Sequence, residues 1–526
     1  MSSPWWRRGV VYQIYPRSFM DASGDGVGDL RGIEARLDHL SWLGVDALWL
    51  SPCFPSPMAD FGYDVADYCD VDPLFGTLAD LDALIAAAHA RGLRVLLDFV
   101  PNHTSDRHPW FVESRASRTS PKRGFYVWRD PKPDGSPPNN WRSVFGGSAW
   151  ELDPTTGQYY LHSFLKEQPD LDWRNPAVER AMHGVLRFWL DRGVDGFRID
   201  VIQRIAKHPD LPDDPPKDGD VHGQLWLCYD ENHPDVHAML RRLRAVLDGY
   251  DERATVGEVY LLNQSEVGKY LGAGDELHLA FNFRLVHAPW DAGRFADEVE
   301  RMERVLPPEG WPSVVLSSHD APRHASRFDH PTLGDARARV AAMMLLGLRG
   351  TPFLYQGEEI GMRNVAIPPE RQQDPLARTL HPNLSRDPSR TPMQWERGPS
   401  AGFTTGTPWL PLAADADARN VAAQRGDPRS LLQLYRALLA VRRAEPALHA
   451  GEFERLPAPP DVFAFERRAG AARAWLALNF GDEPAELALP DAALRRALST
   501  DPDRPLPSRA GRTRLGAAEG LLLLPA

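Results

Sequence analysis

The chain has 526 residues, of which 43% are hydrophobic and 25% are charged, and its formal net charge is −12. This length exceeds what one hydrophobic core holds, so we expect two or three domains of a globular protein. The acidic balance excludes a nucleic acid or an anionic membrane as the partner, because either one would need a basic surface.

The sequence shows few signs of membrane insertion, secretion or disulfide bonding. No run of about 18 apolar residues exists, so no membrane span is predicted. The N-terminus has neither the apolar core nor the cleavage site of a secretory signal. The three cysteines, Cys53, Cys69 and Cys228, are too few for a disulfide framework. We therefore expect a cytoplasmic location.

Short apolar runs alternate with amphipathic helices along the first hundred residues. The runs at 10–14, 45–50 and 93–100 are typical of strands, and helices are predicted over Gly32–Leu43 and around Leu81–Ala88. Three such units in succession indicate a parallel sheet with helical crossovers, the pattern of an α/β protein.

The regular pattern lapses between 102 and 173, where Pro, Trp, Asn and Gly are frequent. A long irregular insertion after a strand is typical of a functional lid or small subdomain. The alternation then resumes with a helix at 177–191 and further strands at 194–200, 254–259, 277–283, 313–320 and 351–357. Eight strand–helix units close into a (β/α)8 TIM barrel.

A last long helix at 430–448 is followed by short alternating runs separated by Pro and Gly, which indicate a small antiparallel β-sandwich. The predicted domains are a catalytic barrel (1–101 and 174–448), an inserted subdomain (102–173) and a C-terminal β-domain (449–526).

Polar side chains stand out where the apolar strands end, namely Asp98, His103, Arg198, Asp200, Glu258, His319 and Asp320. In a barrel these ends meet at one mouth, where active sites of the fold lie. A single strand-end carboxylate could simply cap the next helix. Several carboxylates at one rim indicate function, because like charges brought together cost stability.

Three carboxylates without a Cys-rich or multi-His set suggest acid–base and nucleophilic chemistry without a catalytic metal. Glycosyl transfer needs one carboxylate as nucleophile or base and another as proton donor. Arg198 lies on the same strand face as Asp200 and can keep that carboxylate ionised. Glu258, after an apolar run, can have a raised pKa and act as the general acid.

Several motifs resemble the α-amylase family, glycoside hydrolase family 13. DFVPNH (98–103), GFRID (196–200), GE (257–258) and HD (319–320) occur in the family's order and on the expected strands. Outside these four segments, the chain is similar to the oligo-1,6-glucosidase and α-glucosidase branch in VVYQIYPRSF, GYDVADY, QPDLDW, YQGEEIGM and RTPMQW. The resemblance covers nearly the whole chain.

The resemblance implies roles for individual residues. Asp200 would be the nucleophile, Glu258 the acid–base residue and Asp320 the third carboxylate, which grips and distorts the sugar. An Asp60–Arg390 pair would close the pocket floor and make the enzyme exo-acting; a plain surface salt bridge is the alternative for that pair. Further substrate-binding positions implied by the match are Tyr63, His103, Phe145, Gln168, Arg198 and His319, with simple packing as the alternative for Phe145.

Two positions near the catalytic residues carry more specific information. The family usually has Asn before the HD pair, and this chain has Ser318, which puts the fine contacts of Asp320 in question. Val201, after the nucleophile, resembles the α-1,6-active enzymes of the branch, whereas Ala or Thr resembles the α-1,4-specific ones. The charged RLDRD signature of the sucrose isomerases is absent.

The loop DASGDGVGD places Asp21, Ser23, Asp25 and Asp29 at alternating positions between glycines. Oxygen ligands in such a loop suit a hard cation, and we expect one structural Ca²⁺, with Mg²⁺ as the alternative. The position after the first strand matches the branch's structural metal site, which implies the Val27 carbonyl as a further ligand. A metal-free acidic turn is the other reading. No catalytic cofactor is expected.

The leading hypothesis is a retaining, exo-acting α-glucosidase that releases glucose from short α-glucosides through a covalent β-glucosyl-enzyme, with transglucosylation as a side reaction. The alternatives are a glucosyl-moving isomerase or synthase, such as trehalose synthase or sucrose isomerase, and a non-catalytic binding protein of the same fold. The expected partner is a small oligosaccharide, and the expected assembly is a monomer or a homodimer.

Overall fold

Eight parallel strands form the central sheet of the computed structural model, which describes residues 4–215, 229–261 and 263–526. The strands up to residue 355 are, in chain order, β1 (Val11–Ile14), β2 (Ala47–Leu50), β3 (Arg94–Phe99), β4 (Trp128–Arg129), β5 (Trp150–Asp153), β6 (Gln158–Leu161), β7 (Gly196–Ile199), β8 (Ala254–Gly257), β9 (Leu279–Ala280), β10 (Ser313–Val315) and β11 (Thr351–Tyr355). The parallel sheet has the order β10–β11–β1–β2–β3–β7–β8–β9.

The two outer strands of this sheet, β9 and β10, are joined by a side chain. The Ser313 hydroxyl donates to the Ala280 carbonyl at 2.7 Å and accepts from the Asn282 N–H at 3.3 Å. These bonds bring the edges together and leave a nearly closed barrel. The predicted (β/α)8 architecture is confirmed.

Helices surround the barrel and fill the connections. In chain order they are α1 (Trp5–Arg8), α2 (Leu30–Ala35), α3 (Leu37–Leu43), α4 (Leu78–Ala90), α5 (Pro109–Ala116), α6 (Pro176–Asp191), α7 (Asp235–Leu247), α8 (Gln264–Lys269), α9 (Arg284–His287), α10 (Ala292–Val305), α11 (His324–Arg327), α12 (Gly334–Gly347), α13 (Pro375–Thr379), α14 (Val421–Arg425), α15 (Leu431–Ala444) and α16 (Pro446–Ala450). Within the described ranges, none of them is long and apolar enough to cross a membrane.

Two predicted helices are each divided in the structure. The helix predicted over Gly32–Leu43 is broken at Arg36, whose φ of −106° and ψ of 4° leave the helical region. The last helix ends at Ala444, because Glu445 is extended and Pro446 has no N–H with which to continue the hydrogen-bond ladder.

The inserted segment between β3 and β7 is more regular than its sequence indicated. It contains α5 and a three-stranded antiparallel sheet of order β4–β6–β5. The prediction of an irregular subdomain was wrong on this point, because these strands span only two to four residues and show no readable period. After the sheet, an isolated bridge between Asp170 and His103 joins the segment to the chain that follows β3.

The C-terminal residues form a two-layer antiparallel domain, as predicted. Its strands are β12 (Glu452–Leu456), β13 (Val462–Ala469), β14 (Ala472–Asn479), β15 (Ala485–Ala488), β16 (Leu494–Ser499), β17 (Arg512–Leu515) and β18 (Gly520–Pro525). Five of them form one sheet, and β15 pairs with β17 in a second. Alternate residues of β13 face opposite ways: Phe463 and Phe465 join the main core, and Val462 and Ala464 pack toward the two-stranded sheet.

Two of the cysteines are free thiols within the described chain, Cys53 buried and Cys69 half-buried. Cys228 lies outside the described residues.

Candidate active site

The predicted catalytic residues lie together at the carboxyl ends of neighbouring barrel strands. Asp98 of β3 is the register partner of Arg198 of β7, and Asp200 follows two residues later on the same face. Glu258 is the first residue after β8, and Asp320 comes five residues after β10. Parallel strands therefore deliver these side chains to a single mouth.

One buried guanidinium group holds three of the carboxylates. Arg198 Nη1 donates to Asp98 at 2.6 Å and to Asp200 at 2.7 Å, and its Nη2 donates to Glu258. The Arg198 side chain is only 2% exposed. Since Asp200 and Glu258 contact adjacent nitrogens of one planar group, their carboxylates lie close together.

Three carboxylates around one cation leave an excess of negative charge. Burial raises the pKa of the Asp98 carboxyl to about 6 against the opposing effect of Arg198. Burial also raises the pKa of Asp200 well above its ordinary value; Arg198 lowers it, and Glu258 and Asp98 raise it further. In this cluster, burial and the neighbouring carboxylates therefore outweigh the single cation of Arg198.

His319 is held between Gln13 and Tyr63. The Gln13 amide nitrogen lies 2.7 Å from Nδ1, and the Tyr63 hydroxyl lies 2.7 Å from Nε2. Because the Gln13 amide can only donate there, Nδ1 accepts and Nε2 carries the proton. Burial lowers the pKa of His319 to about 3, so the ring is neutral at physiological pH. The Tyr63 and His319 rings stack at 5.6 Å.

Asp320 is surrounded by cationic groups. Arg390 Nη2 lies 2.8 Å and Arg386 Nη1 lies 3.1 Å from its Oδ1. Burial would raise the pKa of Asp320, but His319, Arg386 and Arg390 outweigh it and hold the pKa well below its ordinary value. Ser318, in place of the family's Asn, accepts the Asp320 backbone N–H at 3.2 Å. Asp320 is thus ionised and held in place.

The predicted Asp60–Arg390 pair was wrong. Asp60 pairs with Arg386, whose Nη2 lies 2.8 Å from its Oδ1. The Arg390 guanidinium bonds to other groups: its Nε donates to the His319 carbonyl at 2.8 Å and its Nη2 donates to Asp320. Arg386 is further held by Asp374, through bonds of 2.8 and 3.0 Å.

Sequence reasoning missed Arg386 and Asp374. Both lie in the Pro- and Arg-rich loop after β11, where several arginines compete for the same role. The sequence does show that Arg386 and Arg390 lie four residues apart, on either side of Asp387 and Ser389. That spacing was the one sign that two arginines could reach the pocket together. A pair of arginines opposite Asp60 and Asp320 would have been the better prediction.

The remaining predicted substrate-binding residues line the other side of the pocket. Gln168 Nε2 lies 3.3 Å from Asp60 Oδ2 and 3.1 Å from His103 Nε2. Burial lowers the pKa of His103 to about 4. Phe145 is buried, and the Arg386 guanidinium lies 5.8 Å from its ring centre. The structure therefore brings all eleven predicted catalytic and binding residues to one mouth.

Val201 has an unusual backbone conformation. Its φ of 34° and ψ of 45° lie in the left-handed region, which β-branched residues rarely adopt. The turn directs the Val201 N–H to Glu258 Oε2 at 3.4 Å and the Ile202 N–H to the Glu258 carbonyl at 3.2 Å. The strained turn thus links the residue after Asp200 to the second catalytic residue.

A groove of about 340 Å³ opens beside Glu258. Tyr260, Phe281, Phe283 and His287 separate it from the cavity that contains Glu258 and Asp320. The Tyr260 hydroxyl lies 2.7 Å from His287 Nε2, and its ring lies 5.4 Å from that of Phe283. The groove and the cavity thus share one wall of ring side chains.

The predicted metal loop is held by its own hydrogen bonds. Asp21 accepts the Gly24 and Gly26 N–H groups at 2.7 Å, and Asp29 accepts the Ser23 N–H at 2.9 Å. Asp25 is exposed. Among the residues described, no group of three or more His, Cys, Asp or Glu side chains could hold a metal ion. Asp25 accepts the Val27 N–H at 2.8 Å, so each of the three aspartates of the loop holds a backbone N–H group.

Comparisons with known proteins agree with this geometry. Residues 13–451 match the model of the alpha-amylase catalytic domain. A probable alpha-glucosidase of Rhizobium meliloti is 48% identical, covering 92% of this chain and 91% of the relative. An oligo-1,6-glucosidase of Heyndrickxia coagulans is 42% identical, covering 93% and 94%.

Solved structures give the same assignment. An alpha-glucosyl transfer enzyme, XgtA, has a TM-score of 0.94 at 43% identity over the full length of both chains. The trehalulose synthase MutB of Pseudomonas mesoacidophila has a TM-score of 0.93 at 35% identity, again over both full chains. The chain therefore belongs to the α-amylase family, glycoside hydrolase family 13, and is a glycoside hydrolase.

Proposed function

We propose that the protein is a retaining, exo-acting α-glucosidase that releases glucose from the non-reducing end of short α-glucosides. The observation that carries this proposal is the Arg198 guanidinium, which joins Asp200 and Glu258 in one buried cluster. Retaining glycosidases need two carboxyl groups only about 5 Å apart, and the contact of both side chains with one guanidinium supports such a separation. The relatives named alpha-glucosidase and oligo-1,6-glucosidase support the same activity.

The chemistry proceeds in two displacements. In the first, Asp200 attacks the anomeric carbon while Glu258 gives its proton to the glycosidic oxygen, so the C–O bond breaks and the aglycone leaves as an alcohol. In the second, Glu258 takes a proton from water, the hydroxide attacks the same carbon, and the bond to Asp200 breaks. Glucose is released with its configuration retained.

The other charged residues of the mouth orient the sugar. Asp320 stays ionised beside Arg386 and Arg390 and accepts hydrogen bonds from the sugar hydroxyls. His103 and His319, both neutral, line the pocket without adding positive charge to it. The Asp60–Arg386 pair closes the floor, which favours a substrate that ends in this pocket and hence exo-action. An alcohol that reaches the glucosyl-enzyme in place of water would be glucosylated.

Val201 favours α-1,6 linkages within this proposal. The second candidate is a glucosyl-moving isomerase, which the similarity to a trehalulose synthase favours. The absence of the RLDRD signature argues against this alternative.

Product analysis on maltose, isomaltose, sucrose, trehalose and nigerose separates the two candidates. Free glucose as the main product supports the hydrolase, and an isomeric disaccharide as the main product supports the isomerase. Loss of activity in Asp200→Asn and Glu258→Gln is expected in either case. Turnover of p-nitrophenyl α-glucoside that survives both substitutions would contradict the proposed catalytic residues.

We further propose that the protein acts in the cytoplasm as a monomer or homodimer, and that the Asp21–Asp29 loop takes up one structural Ca²⁺. The pattern of oxygen-bearing residues in the sequence supports the ion. Its role would be structural, because the loop contributes none of the catalytic carboxylates.

A further inference from the structure

A buried lysine lies beneath the sugar-binding side of the pocket. Lys207 Nζ is 2.7 Å from Asp170 Oδ2 and 2.6 Å from Asn102 Oδ1, and its side chain is only 6% exposed. These partners belong to separate parts of the chain. Asn102 follows β3, Asp170 belongs to the inserted segment, and Lys207 comes seven residues after Asp200. One ammonium group thus joins three segments that line the pocket.

Lys207 determines how Asn102 is oriented. An ammonium group can only donate, so the Asn102 side-chain oxygen must face it and the amide nitrogen must point away. That nitrogen lies 3.2 Å from Asp170 Oδ1 and 3.2 Å from His103 Nδ1. Because the Asn102 amide nitrogen donates, His103 Nδ1 accepts, and the ring proton is placed on Nε2.

The protonated Nε2 of His103 lies 3.2 Å from the Tyr63 carbonyl and donates to it. The Gln168 amide nitrogen packs 3.1 Å from the same ring nitrogen and in turn reaches Asp60. The tautomer set by Asn102 therefore ties the ring to the backbone at Tyr63, beside the predicted sugar-binding residues. The Phe164 ring packs at 5.1 Å and limits rotation of the imidazole.

The charged groups that act on His103 come from both neighbouring segments. Burial is the largest cause of its low pKa; Asp170 of the inserted segment raises the pKa, and Lys207 after β7 lowers it. Asp60 reaches the ring only through Gln168. A cationic His103 would oppose the positive charge that develops on the sugar ring in the transition state, so a neutral ring suits the chemistry.

We propose that Lys207 is a positioning residue for the reaction: held by Asp170, it orients Asn102 and thereby fixes the tautomer and the orientation of the His103 ring beside the sugar-binding residues. This inference rests on the proposed function, since it requires His103 to bind the sugar. Lys207 does not touch the substrate. It acts through Asn102 and through its charge.

The experiment compares Lys207→Met with the double variant Lys207→Met/Asp170→Asn, which removes both charges and avoids a buried, unpaired carboxylate. The matched control is Lys269→Met, because Lys269 is exposed in a helical pair with Glu266. We expect both Lys207 variants to lower kcat/KM for p-nitrophenyl α-glucoside about tenfold to a hundredfold, the range for a lost charge-assisted hydrogen bond. The control should leave kcat/KM unchanged.

Two further readouts separate positioning from a general structural defect. In Lys207→Met the attraction of Asp170 remains while the repulsion of Lys207 is gone, so the pKa of His103 rises. The acid limb of kcat/KM should therefore move to higher pH, and it should return in the double variant. His103→Ala added to the double variant should cost less than about twofold, because the two changes act on one contact.

The proposal is overturned if the double variant retains the kcat/KM of the wild type, if the losses from His103→Ala and the double variant multiply, or if the acid limb is the same in all variants. If Lys207→Met does not fold, the proposal is tested on the double variant alone. The two measurements are then its kcat/KM and the further loss of kcat/KM when His103→Ala is added to it. A wild type that turns over no α-glucoside would refute the proposed function, whereas an active wild type with an unaffected double variant would refute only the role of Lys207.

Discussion

Replacing Arg386 with Met tests how the pocket floor is built. Arg386 contacts Asp60 at 2.8 Å, Asp374 at 2.8 Å and Asp320 at 3.1 Å. Met has a similar reach without the charge, so the substitution leaves three carboxylates without this cation. Asp320 keeps Arg390 at 2.8 Å, whereas Asp60 keeps only the Gln168 amide at 3.3 Å.

The magnitude follows from burial. The Arg386 side chain is 14% exposed, Asp60 is 6% and Asp374 is 0%, so these are largely buried pairs. Removing one partner of a buried pair costs about 3–5 kcal/mol, and we expect the lower end because Arg386 reaches the pocket mouth. The loss of an ordered Asp60 and Asp320 should lower kcat/KM about a hundredfold, which corresponds to about 2.7 kcal/mol.

The assay is a pair of double-mutant cycles measured by kcat/KM and by urea unfolding. Asp60→Asn combined with Arg386→Met should show a coupling energy of about 1–3 kcal/mol, and Asp60→Asn combined with Arg390→Met should be additive within about 0.5 kcal/mol. Arg371→Met, an exposed position in the same loop, is the control. Coupling of Asp60 to Arg390 and not to Arg386 would refute the assignment of this pair.

Four further outcomes are expected. Denaturing mass spectrometry of Glu258→Gln with an activated α-glucoside should detect glucose covalently attached to Asp200; no adduct on any carboxylate would contradict a double displacement. Val201→Thr should lower the ratio of isomaltose to maltose hydrolysis, and an unchanged ratio would remove Val201 as the linkage determinant. Asp98 has a folded-state pKa of about 6 against an ordinary 3.8, so its contribution to stability is complete below about pH 4 and is lost as the pH rises through about 6. The unfolding free energy of the wild type minus that of Asp98→Asn, measured in urea from pH 4 to 7, should therefore fall by up to about 3 kcal/mol. A difference that does not change with pH would contradict the shifted pKa. Adding Ca²⁺ to EDTA-treated protein should raise Tm more than Mg²⁺ does and should not do so in Asp25→Ala, whereas no shift with either ion would leave the loop a metal-free turn.

The fold and the catalytic carboxylates could be predicted from sequence because each depends on local patterns. Asp200 and Glu258 follow short apolar strands, and the barrel alone is enough to bring such strand ends together. The partner of Asp60 could not be predicted in this way. Arg386 and Arg390 have the same chemistry and lie four residues apart, and only the path of the loop decides which guanidinium reaches which carboxylate.

Other differences also come from tertiary context. The helix break at Arg36 leaves no Pro or Gly signal in the sequence, unlike the break before Pro446. The strands of the inserted segment are too short for a period of two to be visible. Lys207 has no sequence signal of its own, because its partners Asp170 and Asn102 lie 37 and 105 residues away along the chain.

The bond between Arg386 and Asp60 joins side chains that are 326 residues apart. During synthesis, the segments that carry Asp200 and Glu258 leave the ribosome long before Arg386 does. A chain that stops short of residue 386 therefore contains Asp200 and Glu258 but lacks the cation that pairs with Asp60. This end of the pocket is consequently among the last parts of the site to become complete as the polypeptide is made.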